Sequence, residues 1–383
     1  MLALMAGMNI QMLARAQLAW ELTDSKFLVG AVGAGFAPPI LLFSLFGGAI
    51  ADRFEKKRVM QVGQFGTALL GLFVAISIVT DTVTFWHLFG SSVGQGLFFA
   101  FLMPSRQAII PQLVPRDQLT NAVALNAGGM ALMTTMAPAA AGFMYHFGGP
   151  AVAYFVIAGL SFAAVLLTGR IPTLPKGTGR KGTGAGVFAE IRDGLGYAWR
   201  NQTVMLLLAM ALGTTVLAMP VRNLLAPYNE EVFGGSSLAL GVMMALIGVG
   251  ALLGTLVIAG LRQTQSRGKV LLLTSFASGV AILLSALLSN YFIVLAVMVL
   301  LGIGDSGRRS LNASLIMEQC DDEHRGRVMG IYMMNFGLIP LGVLPLGALA
   351  DAANIQLAFG VFGVLLLGVV LLMTLATSKI RSL

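Results

Sequence analysis

Apolar residues in this chain arrive in runs long enough to cross a lipid bilayer, and that constrains the fold before any motif is considered. A helix needs about 20 residues to traverse a hydrocarbon core of roughly 30 Å. Such runs fall near 1–20, 27–51, 59–79, 85–104, 120–145, 150–169, 204–226, 237–261, 270–289, 291–316, 328–350 and 354–378. These are numbered spans 1 to 12 below, and in a chain of 383 residues they leave no room for a large soluble domain. Lipid offers no partner to an exposed backbone amide or carbonyl, so each span must be helical. Only 10% of residues are charged and 57% are hydrophobic, where soluble domains are about 25% charged. The expected fold is an all-α integral membrane protein whose twelve transmembrane helices form two pseudo-symmetric six-helix bundles.

Orientation follows from where the basic residues fall, because short cytoplasmic loops hold an excess of Lys and Arg. Of 24 such residues, 21 lie on the side of residue 1, Lys26 and Arg222 lie on the other, and Arg15 sits within span 1. Both termini are therefore expected in the cytoplasm of a cell with the chain in its inner membrane. The net charge of +8 is accounted for by anionic lipid headgroups, with no nucleic acid required. Ala14 to Ala16 imitates a signal-peptide cleavage site, but Asn9 and Gln11 interrupt the apolar core and no basic leader precedes it, so span 1 is expected to remain. The single cysteine, Cys320, excludes an internal disulfide. His87, His146 and His324 are far apart in sequence, so no metal site and no cofactor are expected.

The one long hydrophilic interruption, residues 170–203, divides the chain almost in half. Its first part, rich in Pro, Gly, Lys and Arg, reads as a flexible linker. Its second part places Phe188, Ile191, Leu195 and Trp199 on one helical face, the pattern of a helix lying in the membrane interface. The organisation is thus a six-span bundle over 1–169, a linker over 170–203 and a second bundle over 204–383, the layout of a rocking transporter. The stretches "SRQAIIPQLVPRDQLTNAVALN" and "RRSLNASLIMEQCDDEHRGRVMGIYMMN" repeat a plan: basic residues, an apolar run, a charged loop, then Asn126 or Asn335 within the next helix.

After span 2 the chain packs six charges into the seven residues from Asp52 to Arg58. Gly48 allows close helix approach, and Asp52 can face the positive end of another helix, worth about 0.3 to 2 kcal/mol. Arg53, Lys57 and Arg58 can pair with cytoplasmic acids or headgroups. Gly48, Asp52, Arg53, Lys57 and Arg58 are expected to form a conformational latch; the alternative is a plain topogenic cluster, which needs neither the glycine nor the acid.

"GGAIADRFEKKR" resembles the loop 2–3 signature of the major facilitator superfamily, with Glu55 where the usual pattern has a second glycine. "WELTDSKFLVG", "MPSRQAIIPQLVPRDQLTNAVALN", "HRGRVMGIYMMNFGLIPLG" and "GALAD" are similar to the branch that holds enterobactin exporters and macrolide efflux proteins. The resemblance implies a twelve-helix exporter working by alternating access, with Asp52 latching span 2 to the start of span 11, here Arg325 to Val328. Two signatures depart from the pattern. Span 4 keeps Gln95 and Gly96 but has Ser92 where the family has arginine, and span 5 keeps only Pro138 and Gly142 of the antiporter pattern, enough for close helix packing. The second-half loop "AGLRQTQSRGK" has no acid, so the latch is one-sided.

An ionisable group near the bilayer centre costs about 2.5 to 3.5 kcal/mol and so asks for a function. Arg15 shares a face with Gln11 and either lines a cavity or snorkels towards Glu21. Asp305 precedes Arg308 and Arg309 and either pairs with them locally or carries a coupling proton. Gln11, Gln95, Asn126, Tyr332 and Asn335 are the polar cavity candidates, each equally able to bond between packed helices. With Arg15, Asp305 and Arg308 as its only charge candidates, such a cavity is poor in charge and suits an apolar or amphipathic substrate. "GIGDSG" and "GTGRKGTG" have the glycine content of phosphate-binding loops but not their context. The reading is a monomeric secondary exporter of small drug-like or siderophore-like molecules, driven by protons. A proton-coupled nutrient importer is the alternative, and a membrane-embedded enzyme or sensor is the alternative of another class. No catalytic set at motif spacing supports the enzyme.

Overall fold

A computed structural model describes residues 2–43, 54–115, 118–172, 187–260, 267–376 and 380, and among these it is helical with no strand. The elements are α1 (Leu2–Thr23), α2 (Lys26–Ala34), α3 (Lys56–Val79), α4 (Phe85–Leu113), α5 (Leu119–Gly169), α6 (Val187–Arg200), α7 (Gln202–Asn223) and α8 (Leu225–Phe233). They continue as α9 (Ser237–Ala259), α10 (Arg267–Leu287), α11 (Tyr291–Gln319), α12 (Asp322–Met334), α13 (Pro340–Ala352) and α14 (Ile355–Ala376). α2 resumes after a turn at Gly35 and Phe36 and runs on to Phe43, and a 3₁₀ turn over Asn335–Leu338 joins α12 to α13.

Among the described residues, ten helical segments are long and apolar enough to cross a membrane. The sequence expects twelve, and the difference has two physical reasons. One segment, Leu125–Gly169, is 45 residues long and is broken at Gly149, whose φ of 76° ends one helix before Pro150 starts the next; it holds spans 5 and 6. α1 is the other, because it buries Gln11, Arg15 and Gln17, which lower its hydropathy. Elsewhere helix starts are set by short polar side chains: Asn201 accepts from the amides of Thr203 and Val204, and Asn290 from those of Phe292 and Ile293.

The helices pack as two units. The first contains Met1–Asp24, Ala31–Gly184 and Gly235–Ala245; the second contains Ser25–Gly30, Ala185–Gly234 and Leu246–Leu383. In the first, α1 and α3 both pack on α5, where Gly7 lies against Ile157 and Ser161 and Gly71 against Ala158, and α3 also packs on α4. In the second, α7 and α10 both pack on α14, and α10 also packs on α11. In span numbers the pairs 1 with 6, 3 with 6 and 3 with 4 recur as 7 with 12, 9 with 12 and 9 with 10, the pseudo-symmetry expected of the fold.

Close crossings repeat in the same way. A Cβ on Gly96 of α4 would stand 2.1 Å from the Phe36 carbonyl oxygen, and one on Gly302 of α11 would stand 2.0 Å from that of Ile247. Small residues therefore let backbones meet where lipid supplies no hydrophobic drive. Gly142 meets Gly241 in the first unit, and Gly347 meets Phe27 in the second, each leaving under 3 Å for an added Cβ. Phe292 and Leu375 are more than 70% exposed, ordinary for side chains that face lipid rather than water.

α6 docks on α12. Asp193 pairs with Arg327, Tyr197 stacks on His324 at 4.4 Å, and Gly194 and Ala198 are buried, leaving Leu195 and Trp199 exposed. α12 begins at Asp322, so the positive end of span 11 lies before the expected Arg325 to Val328. A carboxylate at the N-cap, Asp321, favours the earlier start.

Candidate functional site

Charge is buried at separate places in the two units. In the first, α1 carries Arg15 inward, where it is 6% exposed. Its Nη1 donates to Ser92 Oγ at 2.9 Å and its Nη2 to Gln95 Oε1 at 2.6 Å, while Gln95 Nε2 donates to Gln11 Oε1 at 2.6 Å. The buried Tyr154 is a further polar neighbour. Arg15 therefore does not snorkel towards Glu21, which instead accepts from Tyr145 Oη at 2.6 Å and from Gln17. Gln11, four residues before Arg15, lies one turn away on the same face, so the spacing and the network agree. Ser92 holds the place where the resembled pattern has an arginine, and the guanidinium reaches that place from α1 instead.

Below this network lies Arg106 of α4, 3% exposed although the orientation count places it in a cytoplasmic loop. It donates to Asn126 Oδ1 at 3.2 Å and to Met5 Sδ at 3.3 Å. The 29-residue length of α4 carries the helix past the apolar run and turns the residue inward. A recess of about 220 Å³ including its open mouth, lined by Leu4, Met8, Thr67, Gln95, Phe99 and Leu102, adjoins these groups.

In the second unit α11 supplies Asp305 and Arg308, 5% and 2% exposed. Arg308 Nη2 donates to Asp305 Oδ1 one turn away, and its Nη1 donates to Thr214 Oγ1 of α7 at 3.0 Å. Arg222 approaches the other carboxylate oxygen at 3.7 Å and Arg309 at 3.9 Å. Asp305 is thus the counter-ion of three guanidinium groups, in agreement with the local-pairing reading. The orientation count assigns Arg222 to the outer face and Arg308 to a cytoplasmic loop, whereas both side chains turn into the helix packing. Tyr332 Oη donates to the Arg309 carbonyl at 3.3 Å, and Asn312 Nδ2 to that of Leu207 at 3.2 Å. With Asn335, these residues line a recess of about 310 Å³ including its open mouth.

The structure brings together Arg15, Gln11 and Gln95 in one unit, and Asp305, Arg308, Tyr332 and Asn335 in the other. Asn126 joins Arg106 rather than Arg15. Pro138 and Gly142 lie at the close crossing with Gly241, where an added Cβ on Gly241 would stand 2.9 Å from the Pro138 carbonyl oxygen. Of the latch, Gly48, Asp52 and Arg53 lie outside the described residues. Lys57 donates to the Ile171 carbonyl at 2.6 Å, and Arg58 pairs with Glu55 on the surface. Sequence reasoning missed Arg106, Arg222 and Asn312 as interior groups. Only the repeated plan of basic residue followed by Asn pointed to the first, and nothing local pointed to Arg222, whose partner is 83 residues away.

A family model described as a transmembrane secretion effector matches residues 2–382. The chain is 26% identical to the staphyloferrin A transporter of Staphylococcus aureus over 339 residues, 85% of this chain and 81% of that protein. It is 23% identical to macrolide efflux protein A of Enterococcus faecalis over 308 residues, 78% of this chain and 92% of that protein. The crystal structure of the nucleoside transporter NupG superimposes with a TM-score of 0.76 at 14% identity, covering 97% of each chain, a likeness of fold.

Proposed function

Because this chain belongs to the transmembrane secretion effector family of the major facilitator superfamily, we propose that it is a secondary exporter of small amphipathic molecules of the drug or siderophore type. The observation that carries the reading is a recess in each helical unit, one lined by Arg308, Arg309, Asn312, Tyr332 and Asn335, the other by Leu4, Met8, Thr67, Phe99, Leu102 and Gln95, whose amide oxygen accepts from the buried Arg15. Transport proceeds by alternating access: the two six-helix bundles rock so that the same residues meet the cytoplasm and then the outside. Protons are the coupling ion, since each charge moved across 100 mV supplies about 2.3 kcal/mol and no nucleotide-binding motif is present in the sequence. Asp52 with Gly48, Arg53, Lys57 and Arg58 forms the cytoplasmic latch. The protein works as a monomer in a bacterial inner membrane with both termini cytoplasmic. It is not an enzyme, as its relatives and structural neighbours are transporters.

Uptake of a macrolide or a siderophore into inverted vesicles tests the proposal. Accumulation that an uncoupler abolishes is the expected result. Accumulation that survives the uncoupler removes proton drive, and its absence for every compound of both kinds overturns export of this type.

A further inference from the structure

Inside the spans, charge is unbalanced. Among the described residues the buried charged side chains are Arg15, Arg106 and Arg308 against Asp305 alone. Arg15 and Arg106 have no carboxylate neighbour there; their partners are hydroxyl, amide and thioether groups. Around Asp305, three guanidinium groups face one carboxylate, leaving two positive charges. A cation held in a membrane span without a counter-ion is costly unless something completes it.

The recess of the second unit shows what is missing. Arg308 Nε and Asn335 Nδ2, in side chains 2% and 8% exposed, are donors with no hydrogen-bond partner among the described residues. Arg309, with its side chain 47% exposed, lines the same recess and has Asp305 only at 3.9 Å. Two guanidinium groups and an amide therefore line one space, while Met219 and Phe336 supply apolar wall. Planar N–H donors fit the oxygens of a carboxylate, with charge-assisted bonds about twice as strong as neutral ones.

Resting on the exporter reading, we propose that the transported molecule is an organic anion, a carboxylate with an apolar body, and that Arg308, Arg309 and Asn335 receive its carboxylate. Asp305 holds Arg308 in place and sets the surplus, and a lipophilic cation is rejected by the same field. The cavity is therefore not poor in charge, as its sequence suggests, but rich in one sign.

Fluorescein and rhodamine 6G share a xanthene frame and carry opposite charges at neutral pH. Equilibrium dialysis of the full chain in uncharged maltoside micelles should retain fluorescein about tenfold more than rhodamine 6G, relative to protein-free micelles. Arg309→Gln, at a half-exposed position that leaves the Arg308 and Asp305 pair intact, should lower fluorescein retention about tenfold, the loss of one charge-assisted bond. Asn335→Ala should lower it several-fold. Rhodamine 6G held as well as fluorescein, neither dye held by folded protein, or fluorescein retention unchanged in both variants would overturn the inference. Proteoliposome transport separates the two readings. Rhodamine 6G moved without fluorescein leaves an exporter and ends the anion, whereas fluorescein bound through Arg309 while no dye, macrolide or siderophore is moved leaves the anion site and ends the exporter.

Discussion

Arg15 and Arg308 are the same side chain buried to nearly the same degree, yet they are held by opposite chemistry. Arg308 is tied to a carboxylate one turn away, with Thr214 behind it. Arg15 is tied to the neutral oxygens of Ser92 and Gln95, with Gln11 bonded behind Gln95 and Tyr154 nearby. The first is a local ion pair written into one helix; the second is a network between two helices, with no carboxylate in it among the described residues. Desolvation penalises both, but only Arg308 recovers it by direct Coulomb attraction. The difference teaches that one buried arginine is compensated within its own helix, while the other depends on neutral groups that a second helix brings to it.

Removing the acid should have the largest effect. Asp305→Asn leaves three arginines around a neutral amide, and the cost of breaking a buried pair is about 3 to 5 kcal/mol. Folded yield and thermal midpoint in detergent should collapse, and adding Arg308→Met should recover part of the loss. A variant as stable as the parent would erase the contrast. Arg15→Gln should act the other way, changing stability by about 1 kcal/mol or less because a costly charge leaves with its bonds. Vesicle uptake should nevertheless fall at least about tenfold. Sharper still is the exchange Arg15→Ser with Ser92→Arg, which returns the guanidinium to α4; expression with restored uptake would show that its position, not its helix of origin, matters.

Carboxylates at helix ends belong to a milder class. Asp351 accepts from the amides of Lys26 and Phe27 at 2.8 and 3.0 Å and from Ser25 Oγ at 2.8 Å, capping the start of α2. Asp351→Asn should lower stability by about 1 kcal/mol, measured as a small drop in thermal midpoint. Smallest of all, Arg58→Ala removes an arginine whose side chain is 81% exposed, and urea or thermal titration should register less than about 0.5 kcal/mol.

The Asp351 cap also shows how much of the site was legible. "GALAD" ends span 11 as "GAIAD" ends span 2, and Gly347, four residues before the acid, passes close to Phe27, the geometry expected of Gly48 and Asp52. At α13 a glycine and an acid four residues apart do meet the start of another helix, while Gly48 and Asp52, with the same spacing, lie outside the described residues. Arg308 pairing with Asp305 was readable because three residues separate neighbours on a helix. Arg222 joining them was not, since its distance in sequence has no periodic signature. Likewise Ser92 departs from the arginine of the resembled pattern, and no one-dimensional pattern reveals that Arg15 donates to it from another helix.

What the amino-acid order decided alone was the solvent and the architecture. Runs of about 20 apolar residues can satisfy their backbone in lipid only as helices, and glycine positions permit the crossings that repeat six spans apart. What tertiary structure decided was the sign of the interior. Whether a basic residue at a span's end faces headgroups or turns inward depends on helix length, tilt and the groups that meet it from other helices. Arg106 and Arg308 turn inward for that reason, and a hydropathy profile does not show it.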